Sequence, residues 1–446
     1  MNILVFSRGM VGQDMGSSGV RAYHIARVLS EELPEAQVTL SIPNDVTMPA
    51  KQGALRIVSH RNPFTSFLQM LRNDILISRD FPPYVTMLFF HKRFVLDLYV
   101  AFHIEWNALS QRIKNPARRR LWMTSRRNHI DTQLLLADYV SCSDDRQRDF
   151  WFGCLAALGL ITPQTYNRDT TLRRFIGVVP YGVQRGAPRH TTQVIKGVVP
   201  GIREDDTVLI WNGSIMEWFD AGTAIRAMAE IARLRDDVKL FFLGIEHPDF
   251  VTGMLFDPPR DAVALSKELG LYNTTVFFHN DWVPYAEIGS YLAEADIGVC
   301  AGFDSMETRY AFRTRFVDLF WAELPIVCTR GDVLAERVER DELGVVVEPG
   351  DVKAFAAAIL RLVEDKAFYQ TCRENMPAVK ADLSWERVLA PLVAFCRGGS
   401  SIASAKRQRF PQLLGRNAMS LLTLLERAIE YAATGVKQRL AARSSS

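Results

Sequence analysis

Two successive series of short apolar runs constrain this chain most. The first comprises Ile3–Phe6, Val38–Ile42, Ile75–Ile77, Phe94–Leu98, Tyr139–Ser141 and Val178–Val179. The second comprises Val208–Trp211, Val238–Leu243, Val276–Phe278, Ile297–Cys300, Ile326–Cys328 and Val345–Val347. Each run has strand length. Between them lie stretches with helical apolar spacing: Val20–Leu33 in the first series, and Thr223–Leu234, Ala262–Leu269, Glu287–Ala295, Phe312–Ala322 and Val352–Val363 in the second. Strands alternating with helices build doubly wound α/β sheets. Gln184–Gln193, poor in apolar residues, separates the series. The expectation is two Rossmann-like domains, 1–182 and 183–397, with a cleft where the carboxyl ends of their strands face each other. A length of 446 residues fits two domains and an appendage.

Composition bears on compartment and partners. The apolar fraction, 48%, is enough to fill two cores. Cys142, Cys154, Cys300, Cys328, Cys372 and Cys396 form no C-x-x-C pair and stand mostly in apolar runs, which predicts buried free thiols in a reducing compartment. Residues 401–446 hold eight Lys/Arg and two Glu, a net +6, so the rest of the chain carries −3 of the total +3. That body lacks the basic surplus of a nucleic-acid-binding domain. The N-terminal apolar run is too short for a signal peptide, and no run reaches the roughly 18 apolar residues of a membrane span. A cytoplasmic protein is expected. The tail, 398–446, begins with a Gly-Gly-Ser-Ser break and continues as a basic amphipathic helix. Two readings stand for it: peripheral contact with an anionic membrane face, or packing on the body or a partner.

Three stretches carry the chemistry. Gly9, Gly12, Gly16 and Gly19, with Ser17 and Ser18, lie between the first strand and its helix, where a helix N-terminus admits a phosphate. The spacing is not G-x-G-x-x-G and no acid ends the second strand, which argues against a dinucleotide. Arg118, Arg119, Arg120, Arg126 and Arg127 are either a solvated helix face or a contact for an anionic acceptor or membrane. Asp304–Asp332 reads as loop, helix, strand and turn, with Glu307 and Asp318 beside Arg309, Arg313 and Arg315. Arg313 and Arg315 fall in the first turn of the predicted helix, where the helix dipole disfavours bare cations. Cations with free backbone N–H groups make a phosphate site there.

Taken together, Val178-Val-Pro-Tyr-Gly-Val183, Phe242-Leu-Gly244 with Leu292-Ala-Glu-Ala-Asp-Ile-Gly-Val-Cys300, and Ala322-Glu-Leu-Pro-Ile-Val327 with Gly344-Val-Val-Val-Glu-Pro-Gly-Asp351 resemble family-4 glycosyltransferases over roughly residues 1–397. The resemblance implies a GT-B fold, with the last helix returning to the first domain. It also implies a retaining transferase that moves a sugar from a nucleotide-diphosphate sugar to a glycan, lipid-linked or other glycoconjugate acceptor, with no metal. Other activities on this fold are a sugar-nucleotide epimerase or a non-catalytic degenerate transferase. The second acid of the family's E-x7-E pattern falls on Asp318, counted back from Pro325, and implies a contact with the nucleotide ribose. The first falls on Tyr310, so Glu307 is the nearest acid to reach the donor sugar through a longer loop. The family's Gly-Gly loop matches Ser18-Gly19. The stretch that normally supplies an Arg and a Lys reads Trp211-Asn-Gly213-Ser and onward to Asp220 with neither, so Arg313 and Arg315 are the expected substitutes on the diphosphate. A family histidine near the donor sugar corresponds loosely to His103, with Asp97 or Tyr99 as alternatives for that place.

Overall fold

The structure is a computed structural model that describes residues 1–398 except 83, 84, 86, 87, 90 and 246–257. Apart from Gly398, the tail expected over 398–446 lies outside the described residues.

The first sheet has eight strands: β1 (Asn2–Phe6), β2 (Gln37–Ile42), β3 (Lys51–Gln52), β4 (Leu55–Ser59), β5 (Ile75–Ser78), β6 (Arg93–Asp97), β7 (Tyr139–Cys142) and β8 (Ile176–Val178). Their order is β3-β4-β2-β1-β5-β6-β7-β8, parallel except for β3 against β4. The second has six: β9 (Thr207–Asn212), β10 (Val238–Leu243), β11 (Val276–His279), β12 (Ile297–Cys300), β13 (Ile326–Thr329) and β14 (Gly344–Val347), ordered β11-β10-β9-β12-β13-β14 and parallel throughout. The central strands β1, β9, β10 and β12 are buried almost end to end. That is why they read as continuous apolar runs rather than alternating ones. In each sheet the winding reverses once, between β1 and β5 and between β9 and β12. Ligands of open α/β sheets bind at such switch points.

Two stretches depart from the sequence expectation. Lys51–Gln52 and Leu55–Ser59 extend the first sheet by a short hairpin that apolar runs did not disclose, because Arg56 and Ser59 interrupt the pattern. The helix expected over Phe312–Ala322 is present as Thr314–Trp321, with Arg313 as its N-cap, and a further short helix, Met306–Tyr310, precedes it where a loop was expected.

After β14 the chain runs through Val352–Glu364 and Lys366–Asp382, then back across to the first domain as Trp385–Val388 and Ala390–Arg397. Trp385 is fully buried, stacked on His24 at 4.7 Å and packed under Gly182. Val183 N donates to Leu383 O at 2.7 Å, Phe395 stacks on Tyr139 at 4.8 Å, and Arg93 donates to Phe395 O at 2.8 Å. One apolar core therefore continues from β1 and β2 through Tyr181 and Trp385 into the second sheet. All six cysteines are free, and all but Cys154 are buried. Among the described residues no helix is long and apolar enough to cross a membrane.

Candidate functional site

A cavity of about 400 Å³ opens between the carboxyl edges of the two sheets. The first domain contributes Arg8 and Gly9 after β1, Gly16, Ser17 and Ser18, Arg79 after β5, Tyr99 after β6, and Glu105 of the helix Phe102–Ser110. The second contributes Asn212, Gly213 and Ser214 after β9, Gly244 after β10, Trp282 and Tyr285 beyond β11, and Arg313, Arg315 and Asp318. Four guanidinium groups and two carboxyls line the space, so its charge is positive.

The glycine loop leads into the helix Ser17–Glu32, whose N-cap, Gly16, makes no side-chain cap bond and whose first turn holds no acid. Ser17 and Ser18 line the cavity there, at the positive end of a helix dipole. Gly19 does not line it. A Cβ on Gly19 would lie 1.9 Å from Met10 O, so this glycine lets the loop close on the helix while Ser18 faces the cavity. Gly213 does line the cavity. Its φ of +90° turns the chain out of β9 where other residues are strained.

Arg315 is buried, with its guanidinium 3.7 Å from the Phe219 ring centroid and 5.0 Å from that of Trp211. Nη2 donates to Ser214 O at 2.8 Å, while Nη1 is buried without a hydrogen-bond partner. No carboxylate among the described residues lies within ion-pair distance. Burial pulls this guanidinium down to about 10. A buried cation is normally paired, because desolvation alone is costly. Three residues on, Asp318 accepts a 3.2 Å bond from Asn212 Nδ2 and makes no ion pair among the described residues. Burial pushes its carboxyl up to about 7, against that bond and the Arg315 charge. The Asn212 Oδ1 atom is also buried without a partner.

Arg313 and Glu307 behave differently from the expectation for a free cation and a free acid. The two form a buried double hydrogen bond, and Arg313 Nη2 also reaches Thr308 Oγ1 at 3.2 Å. Arg313 borders the main cavity. Glu307 borders only a smaller adjoining pocket, shared with Glu105 and Tyr310. His103 does not line the cavity. Its ring is tilted against Trp106, Phe150 and Trp151 at 5.6–5.9 Å, and burial lowers its basicity. Residues two apart on a helix face nearly opposite ways, so the turn that packs His103 among aromatics brings Glu105 to the cavity.

Arg8, Arg79, Trp282 and Tyr285 also line the space, and no motif in the sequence pointed to them; Tyr99, the alternative to His103 in the family alignment, and Asn212 line it too. Arg8, Arg79, Tyr99 and Asn212 did carry one signal: each stands at, or within two residues of, the carboxyl end of a strand. Among the described residues there is no group of three or more His, Cys, Asp or Glu placed to hold a metal ion.

Two parallel-sheet domains with their carboxyl edges on one positively charged cleft define the GT-B class of architecture. Within it, residues 206–365, in the second domain, match the model of the family described as "Glycosyl transferases group 1". Solved structures share the whole fold. Sucrose-phosphate synthase from Thermosynechococcus elongatus is 15% identical, with a TM-score of 0.59 over 93% of this chain and 99% of that one. WaaG, a glycosyltransferase involved in lipopolysaccharide biosynthesis, is 14% identical, with a TM-score of 0.57 over 90% and 100%. Anabaena HepE, in complex with UDP-glucose, is 13% identical, with a TM-score of 0.58 over 90% and 100%. No curated protein matches the sequence.

Proposed function

We propose that the protein is a retaining glycosyltransferase that moves a sugar from a nucleotide-diphosphate sugar to a glycan, lipid-linked or other glycoconjugate acceptor. The observation that carries the reading is Arg315, a buried cation on the cavity wall with an unpartnered Nη1. A diphosphate supplies the missing anion. Ser18 and the N-terminal turn beneath it offer further donors on the facing domain. As the bond from the sugar to the diphosphate breaks, negative charge grows on the leaving oxygen, and a fixed guanidinium stabilises it there more than in the bound donor. Asp318, beside Asn212 and Gly213, accepts hydrogen bonds from the hydroxyls of the nucleotide ribose. Glu307 acts through Arg313, fixing that guanidinium on the edge of the cavity. UDP-glucose in the HepE structure supports a sugar nucleotide as the co-substrate.

Titrating the full chain with UDP, UDP-glucose and GDP-mannose by calorimetry tests this reading. Binding of at least one, weakened in Arg315→Met, is the expected result; no binding to any of them overturns it. The basic tail 398–446 is read as resting on an anionic membrane face. Its net +6 over residues 401–446 supports this, and cosedimentation with phosphatidylglycerol vesicles, compared between the full chain and one ending at residue 398, checks it.

A further inference from the structure

The donor reading occupies the switch point of the second sheet: Asn212 and Gly213 follow β9, and Arg315 and Asp318 follow β12. The first sheet has a switch point of its own, between β1 and β5, and two guanidinium groups flank it. Arg8 stands two residues past the end of β1 and Arg79 one residue past the end of β5, and both line the cavity. Ser78 Oγ donates to Phe6 O at 2.8 Å, which ties the two strand ends together. A second ligand has its place there.

Neither cation is fully neutralised. Arg79 is half-buried. Its Nη1 donates a long 3.5 Å bond to Tyr99 Oη, its guanidinium stands 5.7 Å from the Phe102 ring centroid, and it makes no ion pair among the described residues. Arg8 stands 3.6 Å from Asp80, but that carboxylate is also bonded to His129 and does not line the cavity. Among the described residues Glu105 is the one carboxyl on the first domain's wall. Loss of solvent, followed by the like charge of Glu307, raises it to about 7, so near neutrality about half of its charge is withdrawn. A guanidinium taken out of water needs an anion. The donors indicate which one. A carboxylate is satisfied by a single guanidinium fork, whereas two guanidinium groups from different strands, together with a phenol, match the three terminal oxygens of a phosphate. Tyr99 Oη accepts from Arg79, which leaves its own proton to donate.

We propose that Arg8, Arg79 and Tyr99 hold a phosphate group of the acceptor, so that the substrate class is a phosphorylated acceptor. This deepens the transferase reading and rests on it. An acceptor anchored on this wall faces a donor anchored by Arg315 on the other, with the sugar to be moved between them. A free sugar phosphate and the phosphate of a lipid headgroup share the required chemistry, and the two are separated by experiment.

Calorimetric titration of the full chain, with and without saturating UDP, compares glucose 6-phosphate, mannose 6-phosphate and dihexanoyl phosphatidylinositol with glucose, mannose and inositol. At least one phosphorylated probe is expected to bind about tenfold or more tighter than its neutral counterpart. Arg79→Met and Arg8→Met are each expected to weaken that probe by roughly tenfold, the loss of one charge-assisted bond, and Arg79→Lys to recover part of it. Arg79→Met is expected to weaken UDP far less than Arg315→Met does. A gain confined to the sugar phosphates assigns a soluble acceptor, a gain confined to phosphatidylinositol assigns a lipid-linked one, and either supports the site. Equal binding of phosphorylated and neutral probes overturns the proposal. So does an Arg79→Met variant that loses UDP as strongly as Arg315→Met, which would give this cation to the donor. Failure of the wild type to bind UDP, UDP-glucose or GDP-mannose overturns the transferase reading and the acceptor role with it, while the titrations without nucleotide still decide whether the phosphate site exists.

Discussion

Arg313 holds Glu307 in a two-bond fork, Nη1 to Oε1 at 2.8 Å and Nη2 to Oε2 at 2.5 Å, with 6% and 8% of the side chains exposed. Glu307 lies in a helix of five residues and Arg313 is the N-cap of the next helix of the same segment. Arg313→Ala strands a buried carboxylate and is expected to destabilise the protein by about 3–5 kcal/mol. The double variant Glu307→Ala with Arg313→Ala is expected to cost less than the sum of the single ones. Denaturant unfolding of the four proteins measures both quantities; strict additivity would show that the pair is not coupled.

Arg315 is the opposite case, a buried cation already without a counter-charge. Arg315→Met keeps much of the packing on Phe219 and removes the cation. UDP binding is expected to weaken by roughly tenfold to a hundredfold, the loss of one charge-assisted bond of about 1.5–3 kcal/mol. The melting temperature of the unliganded protein is expected not to fall. A large drop in that temperature with unchanged UDP affinity would give Arg315 a structural role instead.

Asp318 makes stability depend on pH in a direction opposite to that of a salt-bridged acid. Its carboxyl titrates near 7 in the folded protein and near its ordinary 3.8 in the unfolded chain. Between those values the folded state keeps a proton that the unfolded state has released, so stability falls as pH rises through that window. Asp318→Asn removes the effect. Its denaturant midpoint is expected to exceed that of the wild type at about pH 8 and to approach it at about pH 5. Unfolding curves at the two pH values decide this. UDP affinity is expected to fall in Asp318→Ala.

Two glycines of the cavity region separate close packing from backbone conformation. Gly19→Ala places a methyl against Met10 O, a backbone atom, so the loop between β1 and its helix must move; both thermal stability and UDP binding are expected to drop. Gly213→Ala meets nothing within 4 Å, but keeps a positive φ, and is expected to cost about 1–2 kcal/mol with a smaller change in binding. Thermal melts and UDP titrations of both variants test the ordering.

Much of the fold was legible because buried parallel strands leave continuous apolar runs. Val238–Leu243 and Ile297–Cys300 carry the same bounds in the sequence reading and in the structure. Leu55–Ser59 was not legible, since a strand near the sheet's edge with Arg56 facing solvent lacks that signal. The short helix Met306–Tyr310 was hidden in a polar stretch whose helicity depends on the Ser305 cap bond to Thr308 N.

In the candidate site, the sequence alone singled out Ser18, Gly213, Arg313, Arg315 and Asp318, all of which line the cavity. Ser18, Arg313 and Arg315 stood out by residue type at predicted helix N-termini, and Gly213 and Asp318 through the resemblance to family-4 glycosyltransferases. Which charges are free was decided by tertiary structure. Arg313 and Arg315 are two residues apart and look alike in sequence, yet one meets Glu307 and the other meets Phe219 and Ser214. His103 and Glu105 are also two apart, and the helix sends one into an aromatic cluster and the other to the cavity. Apolar periodicity records which face of an element is buried. It does not record what a buried charge finds on the other side, because that partner comes from a distant part of the chain.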